Sequence, residues 1–347
     1  MNVTHNLHRF RILHWGGRPL LAYPDRSRLG RIRSVRLFPA RTIRRKTLRL
    51  ALLAAVATGL DRLCCQTGET LPIPLTAEQI ALLLDRLGGC AGVSSLDWLI
   101  TWPPQWTRKR VYLIVRVSGS ESVSVVKIGH GAFEQRHLRN EAEMLGRLAA
   151  FDDRPFGTPS LLFLENLGED GVALALDGVP ARLAAVSARR AQTQGDRVIA
   201  YLQSRESGPR PVRVGSCPWF SEIGEVEGLA REASDRIARL AGETVHVAWA
   251  HGDLGAGNML RAADGSLLLA DWEQASLTAP CATDRVGLWL ARRQGAALRV
   301  PARMVDRMIW DFRAEPQTDI LLALAYLHAH RNVAATAVLN RWKETSV

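Results

Sequence analysis

The sequence has few cysteines and lacks every spacing that would give them a structural role. The five cysteines are an odd number, and no CxxC pair or combined Cys/His pattern is present. Disulfide scaffolds and structural zinc sites both depend on such patterns. The sequence therefore predicts neither of them, and it favours the reducing cytoplasm as the setting.

A long apolar run is also missing. The best candidate is LALLAAVATGL, eleven residues from Leu50 to Leu60, whereas a membrane-spanning helix needs roughly 20. This run begins too far into the chain for a secretory signal, whose charged region is short. It predicts a buried or interfacial helix.

Lysine is scarce and acidic residues are scarce at one end. The chain has four lysines beside 41 arginines, and its net charge is +11. Residues 1–50 contain twelve Arg, one Lys and one acid, so this segment alone carries +12. Because the positive charge is concentrated in this segment, nucleic-acid binding by the rest of the protein is not favoured. The basic segment is either a solvated face or a contact for an anionic surface such as a membrane, which leaves peripheral membrane contact open.

Hydrophobic periodicity divides the chain into three parts. In residues 1–75 the pattern predicts a hairpin around Gly16-Gly17, a short strand at 35–39 and a basic helix at 42–63. Residues 76–177 predict a strand-rich lobe with helices at 77–87 and 133–150, the first opened by a Thr76–Gln79 capping box. Residues 178–347 predict a mostly helical lobe. The fold class is therefore α+β.

The candidate catalytic residues lie in the segment HGDLGAGNML, residues 251–260. It is followed by a predicted strand that ends in DWE, residues 271–273. Phosphoryl transfer needs a carboxylate for the proton of the attacking hydroxyl and oxygen ligands for magnesium. Asp253 can be that base. Asn258, five residues on, and Asp271, at the end of the strand, can hold the metal. Asp284 is expected to brace this loop.

This block resembles the catalytic and metal-binding segments of the aminoglycoside phosphotransferase and choline kinase superfamily, which has a protein-kinase-like fold. The resemblance covers roughly residues 90–290. It implies a two-lobed small-molecule kinase that uses ATP and Mg²⁺ to phosphorylate a hydroxyl group. It also implies a strand lysine, Lys127, that pairs with a carboxylate on the next helix to position the nucleotide phosphates. We expect Glu141 in that role, with Glu143 as its rival.

Two features depart from the family pattern. No glycine-rich phosphate loop is visible, because the corresponding stretch, residues 102–110, reads WPPQWTRKR. Residues 1–75 have no counterpart in a minimal kinase.

The acceptor can be a sugar, an amino sugar, an aminoglycoside or an amino alcohol. The alternative is a non-catalytic, kinase-like binding or regulatory protein at a membrane surface; a binding module, however, needs no base.

Overall fold

The computed structural model describes residues 9–342 except 41–42, 69–70, 72–74, 93–95, 104–108, 118–119, 121, 181–183, 207, 263 and 294–302. The predicted hairpin turn at 118–122 and the stiff stretch at 102–110 lie partly outside the described residues. The chain forms two units. The first comprises residues 1–150 and 159–184, and the second comprises residues 151–158 and 185–347.

The described part of the first unit contains eight strands and five helices. In chain order they are β1 (Phe10–Trp15), β2 (Arg18–Pro24), α1 (Arg28–Arg36), α2 (Ile43–Thr58), α3 (Asp61–Cys64), β3 (Cys65–Gly68), α4 (Ala77–Ala91), β4 (Leu96–Thr101), β5 (Arg110–Val117), β6 (Ser122–His130), α5 (Ala132–Ala149), β7 (Ser160–Leu167) and β8 (Gly171–Pro180). The strands form one sheet in the order β3-β1-β2-β4-β5-β6-β8-β7, and all described pairs are antiparallel.

Alternation along the strands gives this sheet two apolar faces, because neighbouring side chains of a strand point to opposite sides. Trp98 packs in a cluster with Leu83 and Leu84 of α4. The next residue, Leu99, packs in a second cluster with Leu52 and Val56 of α2. Helices therefore cover both faces, and one side of the basic helix packs inward through Leu52 and Val56.

Two local predictions are confirmed and one is wrong. The hairpin lies at Gly16-Gly17, and Thr76 and Gln79 make both hydrogen bonds of the capping box. The predicted strand at 35–39 does not form. Instead α1 runs to Arg36, because Ser27 caps its first turn and the buried side chains of Arg31, Ser34 and Val35 recur at helical spacing.

The division into residues 1–75, 76–177 and 178–347 stays a prediction, but the sheet continues across the first of these boundaries. Leu21 and Ala22 of β2 pair with Thr101 and Ile100 of β4. Residues 10–68 therefore supply three strands to the same sheet as residues 96–180.

The second unit carries the remaining elements around a helical core. They are β9 (Ala184–Ala185, at its border), α6 (Ala188–Gln203), β10 (Arg210–Arg213), α7 (Pro218–Glu222), α8 (Arg231–Arg239), β11 (Thr244–Ala250), β12 (Met259–Arg261), β13 (Leu267–Leu269), β14 (Ser276–Pro280), α9 (Thr283–Arg293), α10 (Arg303–Asp311), α11 (Gln317–Ala329) and α12 (Val333–Leu339). Every residue of α11 from Ile320 to Ala329 is buried. The strands form two three-stranded sheets, β10-β11-β14 and β13-β12-β9.

Within the described residues, no helix combines the length and the apolar character needed to cross a membrane.

Candidate active site

The loop between β11 and β12 holds Asp253 and Asn258. The side-chain nitrogen of Asn258 donates to the Asp253 carboxylate oxygen Oδ2 at 2.8 Å and to the Asp253 backbone carbonyl at 2.9 Å. The backbone of Asn258 is fixed too, because its carbonyl accepts a hydrogen bond from Ala270 N at 3.0 Å. The sequence spacing of five therefore corresponds to a direct contact between the predicted base and the predicted metal ligand.

Asp284 braces the start of this loop, as predicted. Its two carboxylate oxygens accept from the backbone nitrogens of His251 and Gly252 at 2.7 and 2.9 Å. The side chain lies at the beginning of α9 and is almost completely buried. Burial raises the pKa of Asp284 to about 6, although the two backbone hydrogen bonds oppose this shift.

His251 joins the loop to the strand that precedes Asp271. Its Nε2 donates to the carbonyl of Ala270 at 3.1 Å, and its Nδ1 accepts from the backbone nitrogen of Asp253 at 3.3 Å. These two contacts fix the neutral tautomer with the proton on Nε2. The ring also packs on Trp272, with 4.5 Å between ring centroids. His251 therefore orients the backbone at Asp253 and at Ala270, the residue before Asp271.

Gly252 is required by the geometry of the loop. Its φ is +80°, and a β-carbon placed there would lie 2.0 Å from the backbone oxygen of Gln274. That oxygen already accepts from the hydroxyl of Tyr326 at 2.8 Å. A side chain at position 252 would thus push apart the loop and the turn that follows Asp271.

Asp271 has a strained backbone. It adopts the left-handed conformation, with φ 71° and ψ 60°, immediately after the buried strand β13 and Ala270. Non-glycine residues seldom adopt this conformation, although Asp tolerates it better than most. Strain of this kind clusters at functional positions. The conformation sets the direction in which the predicted metal ligand leaves the strand.

In the first unit, Lys127 and Glu141 form a buried ion pair. Lys127 lies on β6 and donates to both carboxylate oxygens of Glu141 on α5, at 2.9 and 2.7 Å. Both side chains are buried. Glu143, the rival from the sequence, instead accepts from Arg147 on the surface at 2.9 Å. The structure therefore pairs Lys127 with Glu141.

A second buried ion pair on α5 was missed by the sequence reasoning. Arg110 of β5 donates from Nε to Glu134 at 2.7 Å, and both residues are buried. Glu134 precedes Glu141 by seven residues, so both glutamates lie on one face of α5. This spacing was the available signal, since a helix that buries two carboxylates needs two cations opposite them.

No protein-family model matches this chain, and no curated protein sequence matches it. Several solved structures are similar in part. A thermostable mutant of aminoglycoside phosphotransferase APH(4)-Ia, in ternary complex with AMP-PNP and hygromycin B, is 14% identical; the match covers 76% of this chain and 99% of that one, with a TM-score of 0.46. Choline kinase LicA from Streptococcus pneumoniae is 14% identical, with 73% and 90% covered and a TM-score of 0.44.

The GDP complex of wild-type aminoglycoside 2'-phosphotransferase-IIIa is 12% identical, with 72% and 88% covered and a TM-score of 0.43. At such low identities and TM-scores, a function for this chain has to rest on its own side chains.

Proposed function

We propose that this protein is an ATP-dependent phosphotransferase that acts on a hydroxyl group of a small molecule. The observation that carries the proposal is the hydrogen bond from Asn258 Nδ2 to the carboxylate of Asp253. It holds one carboxylate oxygen in place, as a general base requires. The hydroxyl of the acceptor would donate its proton to Asp253 while its oxygen attacks the terminal phosphorus of ATP, and the bond from that phosphorus to ADP breaks.

The donor atoms of the loop suit magnesium. Both side-chain hydrogen bonds of Asn258 use Nδ2 and do not occupy the side-chain oxygen Oδ1. Asp271 adds a carboxylate, and Mg²⁺ prefers oxygen ligands of this hard kind. Asn258 and Asp271 are therefore the residues that would hold the ion. Bound Mg²⁺ would neutralise charge on the phosphates.

Lys127 is proposed as the cation that positions the nucleotide phosphates. An ammonium on a four-carbon stem has wide rotational freedom, which a hydrogen-bonded carboxylate restricts. Glu141 contacts Lys127 Nζ through both oxygens, so the position of the charge is fixed before a ligand arrives. This arrangement is what electrostatic stabilisation of a transferring phosphoryl group needs.

The alternative, a non-catalytic binding or regulatory protein, does not explain the loop. A binding module gains nothing from a carboxylate that is aligned by Asn258 inside a loop braced by Asp284. An ATP-consumption screen against sugars, amino sugars, aminoglycosides and amino alcohols separates the two functions, because only an enzyme gives turnover that depends on the acceptor.

Asp253→Asn tests the base. The change keeps the shape of the side chain but removes the proton acceptor, so turnover should fall by roughly 10²–10⁴-fold with little change in ATP affinity. Asp264→Asn is the matched control, because Asp264 is an exposed acid that hydrogen-bonds to Ser266 in the turn between β12 and β13. Turnover of Asp253→Asn within about twofold of the parent would remove Asp253 from the mechanism.

Asp271→Asn tests the metal. Calorimetry should show that Mg-ATP binds more weakly to this variant, whereas metal-free ATP binds to variant and parent alike. Equal binding of Mg-ATP by both proteins would show that Asp271 does not hold the ion.

A further inference from the structure

In the N-terminal part of the first unit, both acids are paired with buried arginines. Residues 9–68 contain only two acids, Asp25 and Asp61. Asp25 accepts from Arg11 Nε at 2.9 Å, and Asp61 lies 3.1 Å from Arg31 Nε in full burial. Both arginines are buried as well. These four side chains neutralise one another within the fold, so neither acid compensates the charges outside.

The outer surface of this region is consequently basic. Six exposed cationic residues belong to its helices, and we refer to them as the basic surface: Arg28, Arg33, Arg36, Arg44, Lys46 and Arg62. They lie on α1, α2 and α3. A surface with this many cations and no acid of its own sequence segment attracts anions strongly.

The outward side of α2 also carries an apolar line, which we call the outer stripe: Ile43, Leu50, Ala54 and Ala57. Ile43 is 83% exposed and Leu50 is 65% exposed. The opposite side of α2 packs into the core through Leu52 and Val56. At 100° per residue, Arg44 and Lys46 lie on the two flanks of the outer stripe. Two further apolar side chains, Leu60 and Leu63, are exposed just beyond this helix.

We propose that the basic surface and the outer stripe dock this protein on an anionic phospholipid membrane, with α2 lying in the interface. A helix binds there when an apolar line enters the boundary of the acyl chains and flanking cations meet the lipid phosphates. The inference is independent of the phosphotransferase activity and does not require it.

Two other occupants fit less well. A nucleic acid would use the cations but would leave Ile43 and Leu50 against water, since backbone recognition is electrostatic. A second copy of this chain would bring the same cations against each other, because a two-fold interface joins identical surfaces. Of the three occupants, an anionic bilayer is the one that satisfies the charge and the apolar line together.

Vesicle co-sedimentation of the full-length protein tests the proposal. The parent should pellet with mixed phosphatidylcholine–phosphatidylglycerol vesicles at low salt, remain in solution with phosphatidylcholine alone, and dissociate at high salt. Arg44→Gln with Lys46→Gln should weaken binding about 30-fold, since each basic residue near the surface contributes about fivefold. Ile43→Ser with Leu50→Ser should weaken it about tenfold or more.

The matched control is Arg231→Gln with Arg239→Gln. It removes the same charge from exposed positions of another helix, α8, whose sequence also contains the acids Glu232 and Asp235. It should bind vesicles like the parent. Unchanged thermal unfolding of all three double variants would show that the substitutions act at the surface.

Each other outcome overturns the proposal. The proposal is wrong if the parent does not bind anionic vesicles at low salt, or if the outer-stripe variant binds them like the parent. It is also wrong if the control substitutions weaken binding as much as Arg44→Gln with Lys46→Gln. Binding to an RNA or DNA oligonucleotide without binding to vesicles would assign the surface to nucleic acid. A dimer that Ile43→Ser with Leu50→Ser dissociates, without vesicle binding, would assign it to a second copy.

Discussion

Lys127 and Glu141 are 14 residues apart in sequence, yet Lys127 Nζ contacts both carboxylate oxygens of Glu141 in the interior of the first unit. The pair joins a central strand to the helix that packs on the sheet. A charged pair in such surroundings costs desolvation free energy, so its presence points to a role beyond stability. The proposed role is to hold the ammonium for the nucleotide.

Glu141→Gln should destabilise the protein and weaken Mg-ATP binding. The change removes the charge that compensates the buried ammonium, and breaking a buried pair costs about 3–5 kcal/mol. Glu143→Gln, two residues away on the same helix, breaks only a pair whose carboxylate side chain is 60% exposed, so it should cost no more than about 1 kcal/mol. Urea denaturation and calorimetry measure the two effects. Equal losses in both variants would contradict the assignment of Glu141.

Arg110 and Glu134 should behave as a coupled pair. Arg110→Met leaves the Glu134 carboxylate buried without its principal cation and should cost about 3–5 kcal/mol of unfolding free energy. The double variant Arg110→Met with Glu134→Leu should recover most of that loss, because an apolar pair of similar volume avoids the desolvation cost. A double-mutant cycle in urea measures the coupling. If the double variant loses as much unfolding free energy as the two single variants together, the residues act separately.

Gly252→Ala should disrupt the loop, whereas Gly257→Ala in the same loop should not. At position 252 the new methyl group meets the oxygen of Gln274 and the backbone is left-handed. Steric crowding costs about 1–3 kcal/mol, and the left-handed conformation adds about 1–2 kcal/mol. At position 257, among the described residues and apart from the two chain neighbours, no atom lies within 4 Å of the added β-carbon. Turnover and melting temperature of the two variants measure the difference. A Gly252→Ala variant that matches the parent in both would refute the packing argument.

Asp284 should make stability depend on pH. Its pKa is raised to about 6 in the folded protein, above that of an unfolded aspartate. The contribution of Asp284 to the unfolding free energy is therefore fully present below about pH 4 and decreases as the pH rises to about 6. Above that pH it is constant, and the total change is about 3 kcal/mol.

The difference in unfolding free energy between the parent and Asp284→Asn, followed over this range, isolates the group. The parent should lose stability relative to the variant as the pH rises. A pH-independent difference would mean that the carboxyl titrates normally.

The local parts of this protein follow from local sequence. The capping box of Thr76 and Gln79, the turn at Gly16-Gly17 and the spacing of Asp253 and Asn258 each join residues at most five positions apart. Such contacts form within one turn or loop, where residue type and spacing determine the geometry. The strand predicted at 35–39 is wrong because Ser27 caps a helix that runs to Arg36, and this capping signal is also local.

The sequence by itself determined the chemical groups of the candidate site, because the proposed base, the amide and the second carboxylate all lie within one short stretch. Only the tertiary structure decided that Lys127 meets Glu141 and not Glu143, that Arg110 neutralises Glu134, and that Asp25 and Asp61 turn inward. These contacts join residues that are far apart in sequence. Which of two neighbouring side chains is buried depends on the sheet packed against them, and the residues that build that sheet extend from position 10 to position 180.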